Sequence, residues 1–169
     1  MTRLSAVALA LLLSGAVAYA GDKKPGISIS FSSEDSKTQL GARKNPRDAR
    51  MAITTRDGSV VLLLMSDVVA VQLSDRALAD VSAKHETSLL EEIVIGGVQV
   101  ALRKAVEYPI ASIRSADIRD GAIVLTNEKN QPVFTEIKVN GTEALKDFAV
   151  SDAARFVNAV RAARNASYH

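Results

Sequence analysis

An unbroken apolar run constrains the fold more than any other feature of this sequence. Residues 60–65 are all apolar, so a strand here would carry hydrophobic side chains on both of its faces. The run follows Asp57-Gly58, a pair that supplies the positive φ angles of a tight type I′ turn, and residues 51–55 lie before that pair. This pattern predicts a β-hairpin whose second strand is central in a sheet and covered on both sides.

Further strands are predicted by the same criteria. Residues 68–73 are apolar except for Gln72 and are predicted to form another strand, and residues 110–119 and 122–126 flank a second turn pair, Asp120-Gly121. Residues 133–139 alternate apolar and polar side chains, which is typical of a half-buried strand. Several short strands joined by tight turns indicate an antiparallel sheet.

Two helices are predicted from capping residues and apolar periodicity. Ser74 is a good N-cap for a short helix through Val81, and Ser151 is a good N-cap for a helix from Asp152 to about Arg164. The apolar face of this C-terminal helix comprises Ala153, Phe156, Val157, Val160 and Ala163. Their spacing predicts that one side of the helix packs on the core.

The stretch at residues 88–107 fits two structures. An S-x-x-E capping box at its start and apolar residues at helical intervals favour a helix that ends before Pro109. Alternatively, Gly96-Gly97 turns a hairpin between two short apolar strands, 93–95 and 98–100. We prefer the helix because the stretch with helical periodicity is long. The hairpin remains the alternative interpretation.

These elements together predict the fold class and the domains. Residues 51–169 are expected to form one α+β domain, with an antiparallel sheet or partly open barrel, a central helical segment and a closing C-terminal helix. Before it, residues 21–50 are expected to be an N-terminal strand and a flexible linker. Residues 27–32 alternate isoleucine or phenylalanine with serine, whereas residues 32–50 are rich in polar residues, glycine and proline.

Residues 1–20 have the pattern of a cleavable export signal. A positive start at Arg3 precedes an apolar run at residues 4–13, and Ala18 and Ala20 are the small residues of a cleavage site. A membrane anchor is the alternative, but spanning takes roughly 20 predominantly apolar residues. We therefore expect cleavage after Ala20 and a mature chain that does not span a membrane. A bacterial periplasm is the expected compartment, and secretion into the medium is the alternative.

Composition excludes several classes of protein. The chain has no cysteine, which excludes disulfides, thiolate metal sites, a cysteine nucleophile and a lipid-modified cysteine. Removing 20 of the 169 residues leaves 149, with 20 basic and 19 acidic side chains and no tryptophan. This near-neutral balance argues against a nucleic-acid-binding protein, which needs a basic surface and aromatic side chains for stacking.

Catalytic motifs are sparse. Of the two histidines, His169 is terminal, and His85 lacks the H-E-x-x-H zinc spacing because position 89 is leucine. The sequence contains neither a G-x-S-x-G nucleophile motif nor a glycine-rich phosphate loop. The remaining candidates for a carboxylate-dependent hydrolase are Asp117, Asp120, Glu128 and Glu136. They fall at predicted turns and strand faces, so we expect a protein without enzymatic activity, cofactor or metal.

A basic cluster in the predicted linker is the candidate contact for a partner. Its residues are Arg43, Lys44, Arg47 and Arg50. These side chains suit an anionic partner, either an acidic protein or a lipid head group; the alternative is an ordinary solvated linker. Exposed edge strands would also allow pairing between copies, so a homodimer is an open alternative.

The C-terminal third carries a resemblance to a known family. Tyr108-Pro109 leads to Ile113, the turn Asp120-Gly121 lies between two strands, and residues 151–157 open a helix with an aromatic in its second turn. Over residues 108–164 the chain resembles the second half of a bacterial pleckstrin-homology-like domain. The resemblance implies a bent sheet or partly open barrel with the final helix plugging one end, on a scaffold that serves binding and assembly.

The function predicted from the sequence is that of an exported, non-enzymatic binding or protein-interaction module whose partner is an unidentified protein or lipid. The export signal, the near-neutral charge and the missing catalytic motifs favour it. An inhibitor or immunity-type protein that blocks an exported enzyme or toxin shares these features and is the alternative. A carboxylate-dependent hydrolase is the less favoured alternative.

Overall fold

A computed structural model describes residues 37–85, 104–134, 138–139 and 142–167 of the chain. Within these ranges the strands are β1 (Gln39–Ala42), β2 (Met51–Thr54), β3 (Val60–Leu64), β4 (Val68–Leu73), β5 (Lys104–Pro109), β6 (Ile113–Arg119), β7 (Ala122–Asn127), β8 (Pro132–Val133), β9 (Lys138–Val139) and β10 (Thr142–Glu143). The α-helices are α1 (Asp75–His85) and α2 (Val150–Ala166). All strand pairs are antiparallel, and the α+β prediction is confirmed.

The larger sheet has five strands in the order β1-β5-β4-β3-β2. All five residues of β3 are buried, which confirms a strand covered on both faces. Leu62 and Leu64 point to the inner face, where the main core lies, and Val61 and Leu63 point to the outer face. Strand β4 matches the predicted range of residues 68–73.

The two Asp-Gly pairs form different turns. Asp120 and Gly121 have φ angles of 50° and 76°, as a type I′ turn requires. At the first pair only Gly58 has a positive φ, and the type I′ prediction is wrong there. The Asp57 carboxylate accepts hydrogen bonds from the Thr55 hydroxyl at 2.6 Å and from the backbone N–H of Ser59 at 2.9 Å. These side-chain bonds favour a longer loop, closed by a bond from the Thr55 N–H to the Val60 carbonyl.

Asp57 should make the stability of this hairpin depend on pH. Burial alone would raise the pKa of its carboxyl, but the hydrogen bonds from Thr55 and Ser59 outweigh it and lower the pKa below its ordinary value. A carboxyl group whose pKa is lower in the folded state stabilises that state at pH values above its unfolded pKa. This stabilisation is lost as pH falls through the folded-state pKa. Asp57→Asn is therefore expected to cost roughly 1 kcal/mol at neutral pH. Urea unfolding should show the difference shrinking as pH falls below the ordinary aspartate pKa of about 3.9; a difference that is constant with pH would contradict this.

The predicted linker contains a strand. Residues 39–42 form β1, which pairs with β5 over four residues, from Gln39↔Glu107 to Ala42↔Lys104. The linker prediction is wrong for these four residues. The polar residues on either side of them concealed a short edge strand, whose pairing depends on a strand far along the chain. The strand predicted at residues 27–32 lies outside the described residues.

The predicted helix at residues 88–107 is also wrong at its end. Residues 104–109 are strand β5, in which Val106 and Tyr108 face the main core and the intervening Glu107 faces outward. Their alternation has the period of a strand, and pairing with β4 on one side and β1 on the other outweighs the helical spacing. The Gly96-Gly97 hairpin alternative and the rest of the proposed helix lie outside the described residues.

A second sheet has three strands in the order β6-β7-β8, and β9 pairs with β10 in a separate two-stranded sheet. The strand predicted from residue 110 begins at Ile113, after a 3-10 turn at Ile110–Ser112. The strand predicted at residues 133–139 is interrupted, because Phe134 has a φ of 65°. This φ angle lets the buried Phe134 ring pack edge-on against Tyr108, with ring centroids 6.4 Å apart, and burial of two aromatic rings offsets the backbone strain.

Helix α1 begins as predicted and continues four residues further than predicted. Its N-cap is Ser74, whose hydroxyl oxygen accepts the backbone N–H of Ala77 at 3.0 Å. The same hydroxyl donates to the Gly58 carbonyl at 2.6 Å, so the start of α1 is attached to the β2–β3 turn. The helix extends to His85.

Helix α2 closes the core. The five predicted apolar residues of its face are all buried, and they join residues of both sheets in one hydrophobic cluster. The N-cap is Ala149 rather than the predicted Ser151, and it makes no side-chain capping bond. Packing of the apolar face against the sheets therefore determines where this helix lies, rather than a capping side chain.

Two arginines attach α2 to the outer edge of β6. Arg161 donates through Nε to the carbonyl of Ala116 at 2.8 Å and through Nη2 to the carboxylate of Asp117 at 2.6 Å. Arg164 donates to the carbonyl of Arg114. These bonds satisfy carbonyls that an edge strand would otherwise offer to another chain.

Candidate binding surface

The basic cluster lies on a segment that crosses the outer face of the five-stranded sheet. Strands β1 and β2 are the two opposite edges of that sheet, and residues 43–50, here called the basic segment, connect them. Neighbouring strands are about 4.8 Å apart, so the crossing covers roughly 19 Å, well within the reach of eight residues. A 3-10 turn at Pro46–Asp48 lies in the middle of the segment, and the Asn45 side chain accepts the backbone N–H of Arg47.

Arg43 attaches the start of the basic segment to the end of β4. Its guanidinium donates to the carbonyl of Leu73 at 2.7 Å and to the carboxylate of Asp75 at 2.6 Å. Both bonds are charge-assisted, and such bonds are among the stronger ones in proteins. Arg43 therefore acts within the fold.

Gln72 makes a second attachment through the backbone of Lys44. The Gln72 amide accepts the N–H of Lys44 and donates to its carbonyl, both at 2.9 Å. Gln72 is 4% exposed, so these two bonds satisfy an amide that would otherwise be buried without partners. The paired bonds resemble those between neighbouring strands and hold the segment against β4.

The side chain of Lys44 makes a largely buried ion pair. Its Nζ lies 3.0 Å from Oε1 of Glu107, whose side chain is 14% exposed. The nitrogen is close enough for charge attraction, but Oε1 accepts no hydrogen bond of good geometry. The contact therefore stabilises Glu107 mainly through charge.

Gly41 leaves room for this carboxylate. A Cβ atom on Gly41 would lie 1.6 Å from Oε1 of Glu107, so any other residue would displace the carboxylate from its position next to Lys44. Glycine at position 41 thus serves a close approach between a side chain and the backbone of β1.

A small apolar cluster lies beneath the basic segment. Its buried members are Val61, Leu63, Ala70 and Ala105. Ala49 and Met65 pack against them, so the segment shields the outer face of the sheet from water. This burial and the polar contacts above hold the segment in place.

Arg47 and Arg50 differ from the other two basic residues. Both are exposed, and neither has a carboxylate within ion-pair distance in the part of the chain that the structure describes. Asp48, between them, is also exposed. The predicted cluster therefore divides into Arg43 and Lys44, which attach the segment, and Arg47 and Arg50, which face solvent.

The three predicted carboxylates that the structure describes, Asp117, Asp120 and Glu128, belong to no acidic cluster among the described residues. A hydrogen bond from Arg161 lowers the pKa of Asp117 below its ordinary value, and further bonds and charges around it outweigh the opposing effect of burial. Asp120 lies in the β6–β7 turn, and Glu128 pairs with Lys37 at 3.4 Å. Glu136 and His169 lie outside the described residues, and His85 is the last residue of α1.

Neither a metal centre nor a membrane-spanning helix is found in the described ranges. Their His, Asp and Glu side chains include no group of three or more that could hold a metal ion. Among the same residues, no helix is both long enough and apolar enough to cross a membrane.

Comparisons with known proteins leave the family open. No protein-family model, curated protein or solved structure matches this chain. The resemblance to pleckstrin-homology-like domains therefore stays a prediction.

Proposed function

We propose that this chain is an exported, periplasmic, non-enzymatic binding module that engages an acidic protein partner through Arg47 and Arg50. The observation that carries the proposal is that these two guanidinium groups are exposed and lack a carboxylate partner among the described residues. They lie on a segment that neighbouring basic residues attach to the sheet. Compartment and lack of catalysis rest on the sequence patterns at residues 1–20 and on the missing motifs.

Attachment of the segment favours binding. Arg43 and Lys44 hold it at one end, and the backbone N–H of Arg50 donates to the Leu64 carbonyl at the other. A segment already held in position loses less conformational entropy when a partner binds. Guanidinium groups suit this role because their planar donors match the two oxygens of a carboxylate.

A protein partner fits better than a lipid surface. Basic segments that bind anionic membranes usually carry four to eight lysines or arginines, each contributing about 1 kcal/mol. Only Arg47 and Arg50 of this segment face solvent without a carboxylate partner, and Asp48 lies between them. Two charges beside an acid are few for a membrane, whereas they suffice to orient one acidic protein surface.

The test is recovery of a partner with charge-reversed variants. The full chain, tagged at its C-terminus, is expressed in its bacterial host, crosslinked mildly and purified from the envelope fraction. Arg47→Glu/Arg50→Glu is compared with Arg76→Glu/Lys129→Glu, which changes the net charge equally at two other exposed positions.

We expect one stoichiometric protein to accompany the wild type and the control, and its recovery to fall roughly tenfold with Arg47→Glu/Arg50→Glu. Equal loss in both variants, or no stoichiometric protein at all, contradicts the proposal. The purified chain is expected to begin at Gly21, and after cell fractionation it should be recovered in the periplasmic fraction. If the partner is a hydrolase or toxin that the chain inactivates, the chain is an inhibitor or immunity-type protein, which is the alternative given above.

A further inference from the structure

Gln72 and Glu107 are polar side chains on the outer face of the five-stranded sheet. Gln72 lies opposite Val61 on β3. Glu107 lies opposite Ala70 on β4. Val61 and Ala70 belong to the small apolar cluster beneath the basic segment. Both polar side chains contact Lys44, Gln72 through its backbone and Glu107 through its ammonium group. Lys44 is therefore the residue at which the sheet determines where the basic segment lies.

The two bonds from Gln72 select one position of the segment. Its amide accepts the N–H of Lys44 and donates to the carbonyl of the same residue, both at 2.9 Å. An amide at a fixed place can bond in this way to one residue only, so a shift of the segment along the sheet would break both bonds. Gln72 is 4% exposed, so water cannot replace these bonds unless the segment moves away.

A short turn connects Lys44 to the exposed arginines. The ring of Pro46 restricts the backbone at the start of this turn, and the Asn45 side chain accepts the N–H of Arg47 at 3.1 Å. At the far end, the N–H of Arg50 donates to a carbonyl of β3 at 2.8 Å. Because the turn is short and held at both ends, the position of Lys44 constrains where the two guanidinium groups lie.

We infer that Gln72 is a positioning residue for partner binding, because its bonds to Lys44 keep Arg47 and Arg50 where an acidic protein partner engages them. This inference rests on the proposed function, since it concerns the same surface. Gln72 is buried beneath the segment and acts through Lys44 rather than by touching the partner. A surface that is correctly placed in only a tenth of the molecules binds about tenfold more weakly, so loss of these bonds should weaken binding.

Thiol labelling at position 49 tests whether Gln72 holds the segment. Gln72→Met keeps the length of the side chain and removes both bonds with little change in volume. Ala49→Cys introduces a single thiol, since the chain has no cysteine of its own, at a partly buried position that packs on the apolar cluster. We expect a thiol reagent to label this cysteine roughly tenfold faster when Gln72→Met is present.

Val160→Ala is the matched control for this labelling. It removes part of a buried side chain from the main core, which destabilises the protein without changing a contact of the basic segment. The labelling rate at position 49 should stay within about twofold of that in the otherwise native chain. Circular dichroism checks that both variants fold.

Partner recovery is the second readout and uses the full, C-terminally tagged chain crosslinked in its host. We expect Gln72→Met to recover roughly tenfold less of the stoichiometric protein than wild type, and Val160→Ala to recover as much as wild type. A residue needed only for stability would lower recovery in both variants alike. A lower recovery with Gln72→Met alone therefore indicates positioning of the surface.

The outcomes separate this inference from the proposed function. Unchanged labelling at position 49 in Gln72→Met would overturn the inference alone and leave the binding role of Arg47 and Arg50 intact. Faster labelling with undiminished recovery would also overturn it, because binding would not depend on where the segment lies. Unfolding of Gln72→Met would overturn it and assign Gln72 to the fold as a whole. If wild type recovers no stoichiometric protein, the proposed function fails and this inference fails with it.

Discussion

Replacing Phe156 by alanine is expected to destabilise the protein by about 4 kcal/mol. Phe156 is fully buried and lies at the centre of the apolar face of α2, in the cluster that also contains residues of both sheets. Its removal would leave a cavity between the closing helix and the sheets, and that helix has no capping side chain to compensate. Thermal unfolding followed by circular dichroism should show a melting temperature lower by roughly 10 °C.

Val150→Ala is the matched control for this prediction. Val150 is the first residue of the same helix and is 80% exposed, so its truncation should change stability by less than about 0.5 kcal/mol. If Phe156→Ala cost less than about 1 kcal/mol, α2 would not be the closing element of the core.

Lys44→Met is expected to cost about 2 kcal/mol. The substitution keeps the apolar stem of the side chain and removes the charge next to Glu107, whose carboxylate would then be largely buried without a partner. Breaking a fully buried pair costs roughly 3–5 kcal/mol. We expect about 2 kcal/mol, less than for a fully buried pair, because the side chains of Lys44 and Glu107 are 29% and 14% exposed.

A double-mutant cycle separates this pair from other effects of the substitution. Glu107→Gln removes the unpaired charge, so the double variant Lys44→Met/Glu107→Gln should recover at least about 1 kcal/mol relative to Lys44→Met. Urea unfolding of the four proteins gives the coupling energy. Strictly additive effects would show that charge attraction between the two side chains does not hold the basic segment.

Sequence patterns predicted the parts of the fold that local chemistry determines. The apolar run at β3 and the apolar face of α2 were confirmed because burial on one or both sides leaves a clear period in the sequence. The type I′ prediction for the first turn was wrong because the Asp57 side chain accepts hydrogen bonds from Thr55 and Ser59. These bonds outweigh the usual preference of Asp-Gly for a type I′ turn. The helix predicted up to residue 107 was wrong over β5, because the pairing of β5 with β1 and β4 depends on residues distant in sequence.

The candidate surface was predicted only in part. The basic residues were identified, but their division into two attached and two exposed side chains follows from the sheet order, which puts β1 and β2 at opposite edges. Gln72 and Glu107 were missed. Gln72 did leave a signal, since a single amide in the apolar run of residues 68–73 needs a buried hydrogen-bond partner.

The most direct test of the account is photo-crosslinking from position 48. Asp48 is exposed between Arg47 and Arg50, so replacing it with a photoreactive amino acid leaves both guanidinium groups in place. The same amino acid at position 129, on the β7–β8 loop, is the control. We predict one discrete protein adduct from position 48 and none from position 129 after irradiation of intact cells. The absence of an adduct from position 48, or the same adduct from both positions, would contradict binding of a protein partner through Arg47 and Arg50.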